Sequence, residues 1–209
     1  MMRRLILAGL LGLPLALAAA KPPGHAVASA HPLATAAGLR ILEAGGNAFD
    51  AAVAVTAALA VVEPTGSGLG GGGFYLLHQA DSGRKIFVDA REKAPLASTA
   101  NMYLDQDGQV NRDWLTAHPL ASGIPGIPRA LEHLASEYGR LPLKTLLAPA
   151  IEHAEQGFVI DEKLAKVMAY RAESLARYPA SAEIFMAEGQ PLAAGDRLQQ
   201  AEPDHRWRY

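Results

Sequence analysis

The segment from Ala48 to Val62 constrains the fold of this chain more than any other, because Asp50 is its only charged residue. Alanine, valine and leucine fill most of the other positions, and Asn47 stands directly before them as a helix N-cap. Glu63-Pro64 ends the helix, since proline disfavours helical geometry at the residue before it. A helix that is apolar on every side is a buried one. The sequence therefore predicts a buried helix here.

The segments on either side of this helix predict a mixed α+β chain. His31-Pro32 opens an earlier helix, which stops at Gly45-Gly46 because glycine adopts the left-handed backbone most readily. A glycine-rich loop, residues 66–73, follows the buried helix and leads into a predicted hairpin of two strands. The predicted strands and the later amphipathic helices are Phe74–His78, Lys85–Val88, Pro128–Tyr138, Leu141–Glu155 and Glu162–Arg177.

Composition and charge narrow the class of protein. Half of the 209 residues are apolar and 19% are charged, which is typical of a folded globular chain. The formal net charge of -2 gives no basic surface for nucleic acid, so we expect no nucleic-acid partner. The sequence has no cysteine, which excludes disulfides, thiolate metal sites and a cysteine nucleophile.

The N-terminus has the order of a secretory signal peptide. Arg3 and Arg4 form a basic start, residues 5–17 are an apolar run, and residues 16–20 supply small side chains for cleavage. The apolar run is shorter than the roughly 20 residues that a membrane-spanning helix needs. We therefore expect residues 1–20 to be a signal peptide and the mature protein to be secreted or periplasmic, with no membrane association after signal removal.

The glycine loop contains the string Gly66-Ser67-Gly68-Leu69-Gly70-Gly71, which matches the G-x-G-x-x-G pattern of dinucleotide-binding loops. That fingerprint follows a strand and opens a helix, so that the pyrophosphate meets the helix N-terminus. Here the predicted helix comes first and the strand afterwards, and the G-K-[ST] ending of a phosphate-binding loop is missing. We therefore interpret the glycines as allowing two backbone segments to approach each other closely.

Sequence motifs for a metal site or a serine nucleophile are missing. No H-E-x-x-H and no G-x-S-x-G string occurs, and the histidines are too scattered for metal-ligand spacing. We expect neither a metal nor a cofactor. A catalytic pair of carboxylates stays open, because no spacing selects one. The histidines are His25, His31, His78, His118, His133, His153 and His205.

Arg91 is the candidate binding residue. It follows the second predicted strand and lies among Asp89, Glu92 and Lys93, a charge cluster that a core strand would not hold unpaired. An arginine held by a neighbouring acid offers a rigid fork of donors for a carboxylate ligand. The residues themselves leave a second interpretation open, in which Arg91 is only a structural ion-pair partner of Asp89 or Glu92.

Several segments together resemble gamma-glutamyltransferases, in their order and spacing as well as in their residues, from about Ala26 to Gln200. The shared strings are A-S-A-H-P-L-A-T at 28–35, G-G-N-A-F-D-A-A at 45–52, E-P at 63–64, S-G-L-G-G-G-G-F at 67–74, D-A-R-E-K-A-P at 89–95, G-I-P-G at 123–126 and P-A-I-E-H-A-E-Q-G-F at 149–158.

This resemblance implies an N-terminal-nucleophile hydrolase fold, an αββα sandwich of which the chain is an incomplete N-terminal portion. It implies a proenzyme that cleaves itself into two subunits, residues 21–200 being the N-terminal part of the large one. The new N-terminal threonine of the small subunit attacks the gamma-glutamyl amide, and water or an amino acid then takes the acyl group. By the same resemblance, Arg91 binds the alpha-carboxylate of a gamma-glutamyl donor such as glutathione.

The threonine nucleophile of that family has no counterpart in this sequence. The T-T-H motif of the small subunit is missing, so we expect no catalytic residue in this chain, no activity of the chain alone, and a need for the small subunit as partner. We interpret residues 201–209 as an aberrant tail from a truncation or frameshift, and expect helix faces such as residues 51–62 to be uncovered. The threonines, all within the matching region, are Thr35, Thr56, Thr65, Thr99, Thr116 and Thr145.

Two alternative functions stay open. One is a related acylase of the same fold that acts on glutaryl side chains. The other is a non-catalytic exported fragment, either inert or dependent on a separately encoded small subunit.

Overall fold

A computed structural model describes residues 24–200 as helices and short antiparallel sheets, and the predicted signal peptide and tail lie outside the described residues. The helices are α1 Pro32–Glu43, α2 Ala48–Val62, α3 Arg112–Thr116, α4 Ile127–Glu137, α5 Leu143–Gln156, α6 Glu162–Tyr170, α7 Ala172–Arg177 and α8 Pro179–Phe185. The strands are β1 Gly73–Gln79, β2 Arg84–Ala90, β3 Phe158–Val159, β4 Met186–Ala187, β5 Gln190–Pro191 and β6 Arg197–Leu198. Strand β1 pairs with β2, β3 with β6, and β4 with β5. Of the helices in this part of the chain, none is both long and apolar enough to cross a bilayer.

Helix α2 lies in the core, as the sequence predicted. Every residue after Ala48 is buried or half-buried, and Val53, Ala54 and Ala58 have no exposed surface. Helices α1, α4 and α5 pack against it. The expectation that residues 51–62 would be uncovered is therefore wrong, because these three helices already enclose α2.

The N-terminus of α2 is held by a capping box. The Asn47 side chain accepts hydrogen bonds from the main-chain N–H groups of Phe49 and Asp50, and the Asp50 carboxylate accepts one from Asn47 N at 2.8 Å. The same carboxylate accepts from Arg140 N at 3.0 Å and lies 3.4 Å from Leu141 N, in the loop between α4 and α5. Asp50 is fully buried, and its carboxylate therefore ties three helices together.

The hairpin of β1 and β2 packs one face against the helices and leaves the other open. Leu77 pairs with Ile86 in register and is buried in the core cluster. On the opposite face, Phe74, Leu76 and Phe87 are exposed to 58%, 78% and 62%. The rings of Phe74 and Phe87 stack with centroids 5.4 Å apart. This face is an apolar patch that no described residue covers.

The last predicted helix, Glu162–Arg177, is instead two helices. Helix α6 ends at Tyr170. The main-chain N–H of the next residue, Arg171, donates hydrogen bonds to the carbonyls of Val167 and Met168 at 3.0 and 3.1 Å. Helix α6 buries Leu164 and Met168, whereas α7 buries no residue. The sequence has no glycine or proline at the break, so local patterns gave no stop signal there.

The buried carboxylate of Asp50 yields a stability prediction. Replacing Asp50 with alanine leaves the N–H groups of Asn47 and Arg140 without their acceptor, and each unpaired buried donor costs about 1 to 3 kcal/mol. We expect Asp50→Ala to lower the free energy of unfolding by about 2 to 6 kcal/mol, measured by urea unfolding followed by circular dichroism. Glu137→Ala is the matched control, because that exposed side chain makes no hydrogen bond or ion pair within residues 24–200. Equal losses in the two variants would contradict this role of Asp50.

Helix α1 is capped by a histidine that can act as a cap only when it is neutral. The His31 Nδ1 atom accepts a hydrogen bond from Leu33 N at 3.2 Å, and the ring meets Phe158 edge-on at 6.1 Å. Burial is the main cause that lowers the pKa of His31, while the charges of Asp161 and Glu63 oppose it. His153 and Lys163 also lower the pKa. A protonated ring would lose the acceptor and place a positive charge at a helix N-terminus.

This cap makes stability depend on pH. Since the pKa of His31 is lower in the folded than in the unfolded chain, the unfolded state binds the proton more readily. The contribution of His31 is fully present above the unfolded value of about 6.5 and is lost as pH falls through the folded pKa. We expect the drop in Tm between about pH 7.5 and about pH 5 to be smaller in His31→Asn, which caps but does not titrate. The same drop in both proteins would show that His31 does not contribute.

Candidate functional site

Arg91, the sequence-predicted binding residue, lies one residue beyond the end of β2. It follows Ala90, which is buried, and its own side chain is 57% exposed. The hairpin register places Asp89 opposite Phe74 on the open face of the hairpin. The rigid strand pair therefore brings the guanidinium to the edge of the exposed apolar patch.

Three neighbours hold Arg91. Its main-chain N–H donates to Asp89 Oδ1 at 2.9 Å, and its Nε atom forms an ion pair with Glu92 Oε2 at 3.2 Å. The guanidinium carbon lies 5.8 Å from the ring centroid of Phe74, within reach of a cation–π interaction. The sequence indicates both acids as neighbours of Arg91, but it predicts Phe74 only as a strand residue. Its role depends on the hairpin register, which no local motif carries.

The shortest contact of the ion pair with Glu92 is at the Nε edge of the guanidinium. Within the described part of the chain, the terminal nitrogens Nη1 and Nη2 of Arg91 make no hydrogen bond. These two nitrogens form the end of the fork that matches a carboxylate with two parallel hydrogen bonds. The structural ion pair and the ligand-binding interpretation of Arg91 are therefore compatible, because they engage different edges of the same group.

The glycine loop and the Gly123–Gly126 turn meet at this strand end. The carbonyl of Gly71 accepts from Gly126 N at 3.1 Å and from Ile127 N at 3.2 Å. Lys93 and Ile124 exchange main-chain hydrogen bonds at 3.1 and 2.8 Å. Of the loop glycines, Gly72 shows the predicted close approach of two segments, since a Cβ atom there would lie 2.7 Å from Ala90 O, whereas Gly68 and Gly70 have no such neighbour.

The threonines of the chain are spread over several helices and loops of the fold. Four of them lie inside helices, where the main chain is hydrogen-bonded along the helix. Thr56 Oγ1 donates to Ala52 O at 2.8 Å and Thr116 Oγ1 to Arg112 O at 3.0 Å. The helical threonines are Thr35, Thr56, Thr116 and Thr145, and those outside helices are Thr65 and Thr99.

A second polar cluster, which the sequence did not indicate, lines a small cavity beside α6. Lys163 Nζ pairs with Glu63 Oε1 at 2.9 Å, and the hydrogen bond to Glu63 is the main cause that raises the pKa of Lys163. His31 and Asp161 also line the cavity. Its volume is about 30 Å³, small beside the few hundred Å³ of typical small-molecule pockets.

Comparison with known proteins places the chain in a family. The sequence model described as Gamma-glutamyltranspeptidase matches residues 34–204. A glutathione hydrolase proenzyme of Pseudomonas sp. (strain A14) is 45% identical over 177 residues, which are 84% of this chain and 31% of that protein. An acylase, the ACY 1 proenzyme of Pseudomonas sp. (strain V22), is 41% identical over 182 residues, 84% of this chain and 32% of that protein.

A solved structure gives the same result for the fold. Helicobacter pylori gamma-glutamyltranspeptidase superimposes with a TM-score of 0.82 at 39% identity, covering 86% of this chain and 52% of that chain. The predicted N-terminal-nucleophile hydrolase fold is confirmed by this similarity, with the described residues forming a part of it. The chain spans less than a third of the length of the glutathione hydrolase proenzyme of strain A14, 31%. By sequence and by structure, this chain belongs to the gamma-glutamyltranspeptidase family.

Proposed function

We propose that this chain is the donor-binding part of a gamma-glutamyltransferase that acts on glutathione and related gamma-glutamyl compounds. In this proposal, residues 21–200 are the N-terminal part of the large subunit, and Arg91 holds the alpha-carboxylate of the donor. The main support is that Glu92 pairs with the Nε atom of Arg91 while Nη1 and Nη2 make no hydrogen bond within residues 24–200, in a chain of this family. The rigid hairpin beneath it limits the entropy lost when the ligand binds.

The chemistry in this proposal is nucleophilic. A threonine at the N-terminus of the small subunit attacks the gamma-carbonyl, the amine of the donor leaves, and an acyl-enzyme forms. Water or an amino acid then takes the gamma-glutamyl group and frees the threonine. Arg91 contacts the far end of the donor, away from the bond that breaks. It therefore binds the ground state and the transition state nearly equally, which affects KM more than kcat.

The small subunit is the partner that this proposal requires. We expect it to pack on the open face of the hairpin, which exposes Phe74, Leu76 and Phe87. Burying such apolar side chains is favourable by about 25 cal/mol per Å². The unpaired edges of β1 and β2 could also accept further strands. Packing there would bring partner residues beside Arg91, which shares this face.

An acylase is the second candidate, and the 41% identity to the ACY 1 proenzyme supports it. A glutaryl group carries a carboxylate at the same end as a gamma-glutamyl group but lacks the alpha-amine. Arg91 could serve both donors, so the amine decides between the two functions. A comparison of kcat/KM for gamma-glutamyl and glutaryl anilides would separate them, and a preference for the glutaryl donor would favour the acylase.

Export is part of the proposal, with residues 1–20 as a signal peptide that directs the protein to the periplasm. We expect mass spectrometry of the periplasmic fraction to find chains that begin near residues 19–21, because small residues precede this point. Chains that keep the apolar run at residues 5–17 and stay in the membrane fraction would contradict it.

Arg91 is tested in a completed protein, residues 21–200 of this chain joined to the remaining part of the glutathione hydrolase proenzyme of Pseudomonas sp. (strain A14). A charge-assisted hydrogen bond is worth about 1.5 to 3 kcal/mol, so Arg91→Ala should lower kcat/KM for a gamma-glutamyl anilide about 10- to 150-fold, mainly through KM. Arg91→Lys should restore only part, since a point charge cannot form two parallel bonds. The 209 residues alone should release no product, for want of a nucleophile.

Arg84→Ala is the control for that experiment. Arg84 lies at the other end of β2, and its side chain makes no hydrogen bond or ion pair within residues 24–200. We expect its KM and its self-cleavage to match the parent protein. If Arg91→Ala blocks self-cleavage or unfolds the protein while KM of the matured fraction is normal, Arg91 is a structural residue and the donor assignment is wrong.

A further inference from the structure

The main chain around Arg91 lies between two glycines from separate segments. A Cβ atom on Gly72 would lie 2.6 Å from Glu92 Oε2 and 2.7 Å from both Ala90 O and Arg91 Cα. A Cβ atom on Gly126 would overlap Ala90 O and lie 2.9 Å from Arg91 O. Side chains do not tolerate such distances to backbone atoms. Because they lack a Cβ atom, the two glycines therefore allow their segments to pack closely on either side of the main chain around Arg91.

This requirement is local to the strand end. Gly68 and Gly70 belong to the same loop, yet a Cβ atom on either would meet no atom within 4 Å. The backbone φ of Gly72 and of Gly70 is not in the left-handed region. Position 72 therefore requires glycine because neighbouring atoms lie so close, and not because of its backbone conformation. Gly70, in the same loop but without close neighbours, is the matched comparison for a substitution at Gly72.

Other glycines of the same two segments, Gly123 and Gly71, also leave space for the Glu92 side chain. A Cβ atom on Gly123 would lie 3.0 Å from Glu92 Cβ, and one on Gly71 would lie 3.5 Å from Glu92 Oε1. The Glu92 side chain is only 32% exposed, against 57% for Arg91. Glu92 is thus the more firmly packed member of the ion pair, and its carboxylate faces the Nε edge of Arg91.

In this geometry Glu92 does more than neutralise the charge of Arg91. A guanidinium is planar, so a carboxylate held on the Nε edge also fixes the direction in which Nη1 and Nη2 point. We propose that Glu92, packed between Gly72 and Gly123, is a positioning residue that aims the free end of Arg91 at the donor carboxylate, and that Gly72 is required for that packing. This inference rests on the proposed role of Arg91 in donor binding.

The test measures each protein variant with two donors, one with and one without the alpha-carboxylate, in the completed protein. Two donors are compared: a gamma-glutamyl anilide with a free alpha-carboxylate, and the same anilide with that group converted to a carboxamide. The measured quantity is the ratio of KM for the carboxamide to KM for the free acid. The variants are Glu92→Gln, which keeps size but removes charge, Gly72→Ala, the control Gly70→Ala, and Arg91→Ala as reference.

We expect a ratio of at least about 10 in the parent protein and near 1 in Arg91→Ala, since the arginine is what recognises the carboxylate. Glu92→Gln should lower the ratio about 2- to 5-fold with little change in kcat, the range for a solvent-accessible ion pair. Gly72→Ala should lower it at least as much, and Gly70→Ala should leave it unchanged. If Gly72→Ala does not fold, Glu92→Gln decides the question.

The outcomes separate the two hypotheses. If Arg91→Ala leaves the ratio at its parent value, the proposed function of Arg91 fails. If Arg91→Ala abolishes the ratio but Glu92→Gln does not change it, or raises KM equally for both donors, then Arg91 binds the donor and Glu92 does not position it. That second result would overturn the inference made here and leave the proposed function standing.

Discussion

The buried carboxylate of Asp50 is the interaction on which the rest of the described structure depends. A charged group without solvent contact is costly unless hydrogen bonds satisfy it, and Asp50 accepts them from the main chain at two distant points of the sequence. One partner, Asn47, belongs to the start of α2, and the other, Arg140, to the loop between α4 and α5. Asn47 strengthens the link, since its Nδ2 atom donates to Tyr138 O at 2.6 Å. The apolar helix is thereby fixed in one position among its neighbours.

From that fixed helix the geometry extends to the candidate site. Leu77, on the inner face of the hairpin, packs into the hydrophobic core around α2. This contact sets the position of β2 and therefore of Arg91. The glycine loop connects the end of α2 to β1. Its Gly71 carbonyl accepts hydrogen bonds from Gly126 N and Ile127 N at the start of α4. A side chain that is itself exposed is therefore placed by a buried core. This arrangement suits a binding residue, which must be accessible to ligand and yet held in place.

Sequence reasoning succeeded where a local signal was strong. The bounds of α2 agree because Asn47 and Glu63-Pro64 mark both ends, and α1 ends before Gly45, whose φ of 92° requires glycine. It failed at Arg171, where the helix breaks without any local stop signal. The expectation that residues 51–62 of the buried helix would be left uncovered in this part of the protein was wrong, because an amino-acid pattern does not show that α1, α4 and α5 pack against it. The short helices α3 and α8 lack periodic apolar residues and were not predicted for that reason.

The sequence by itself determined the family, the buried helix, the hairpin and the choice of Arg91, because these depend on motifs and on the local preferences of glycine, proline and capping residues. Only the tertiary structure decided how Arg91 is held. The approach of Phe74, the packing of Glu92 between Gly72 and Gly123, and the free end of the guanidinium all come from segments far apart in the chain. Contacts between such segments depend on the register and packing of whole elements, and no single stretch of sequence contains that information.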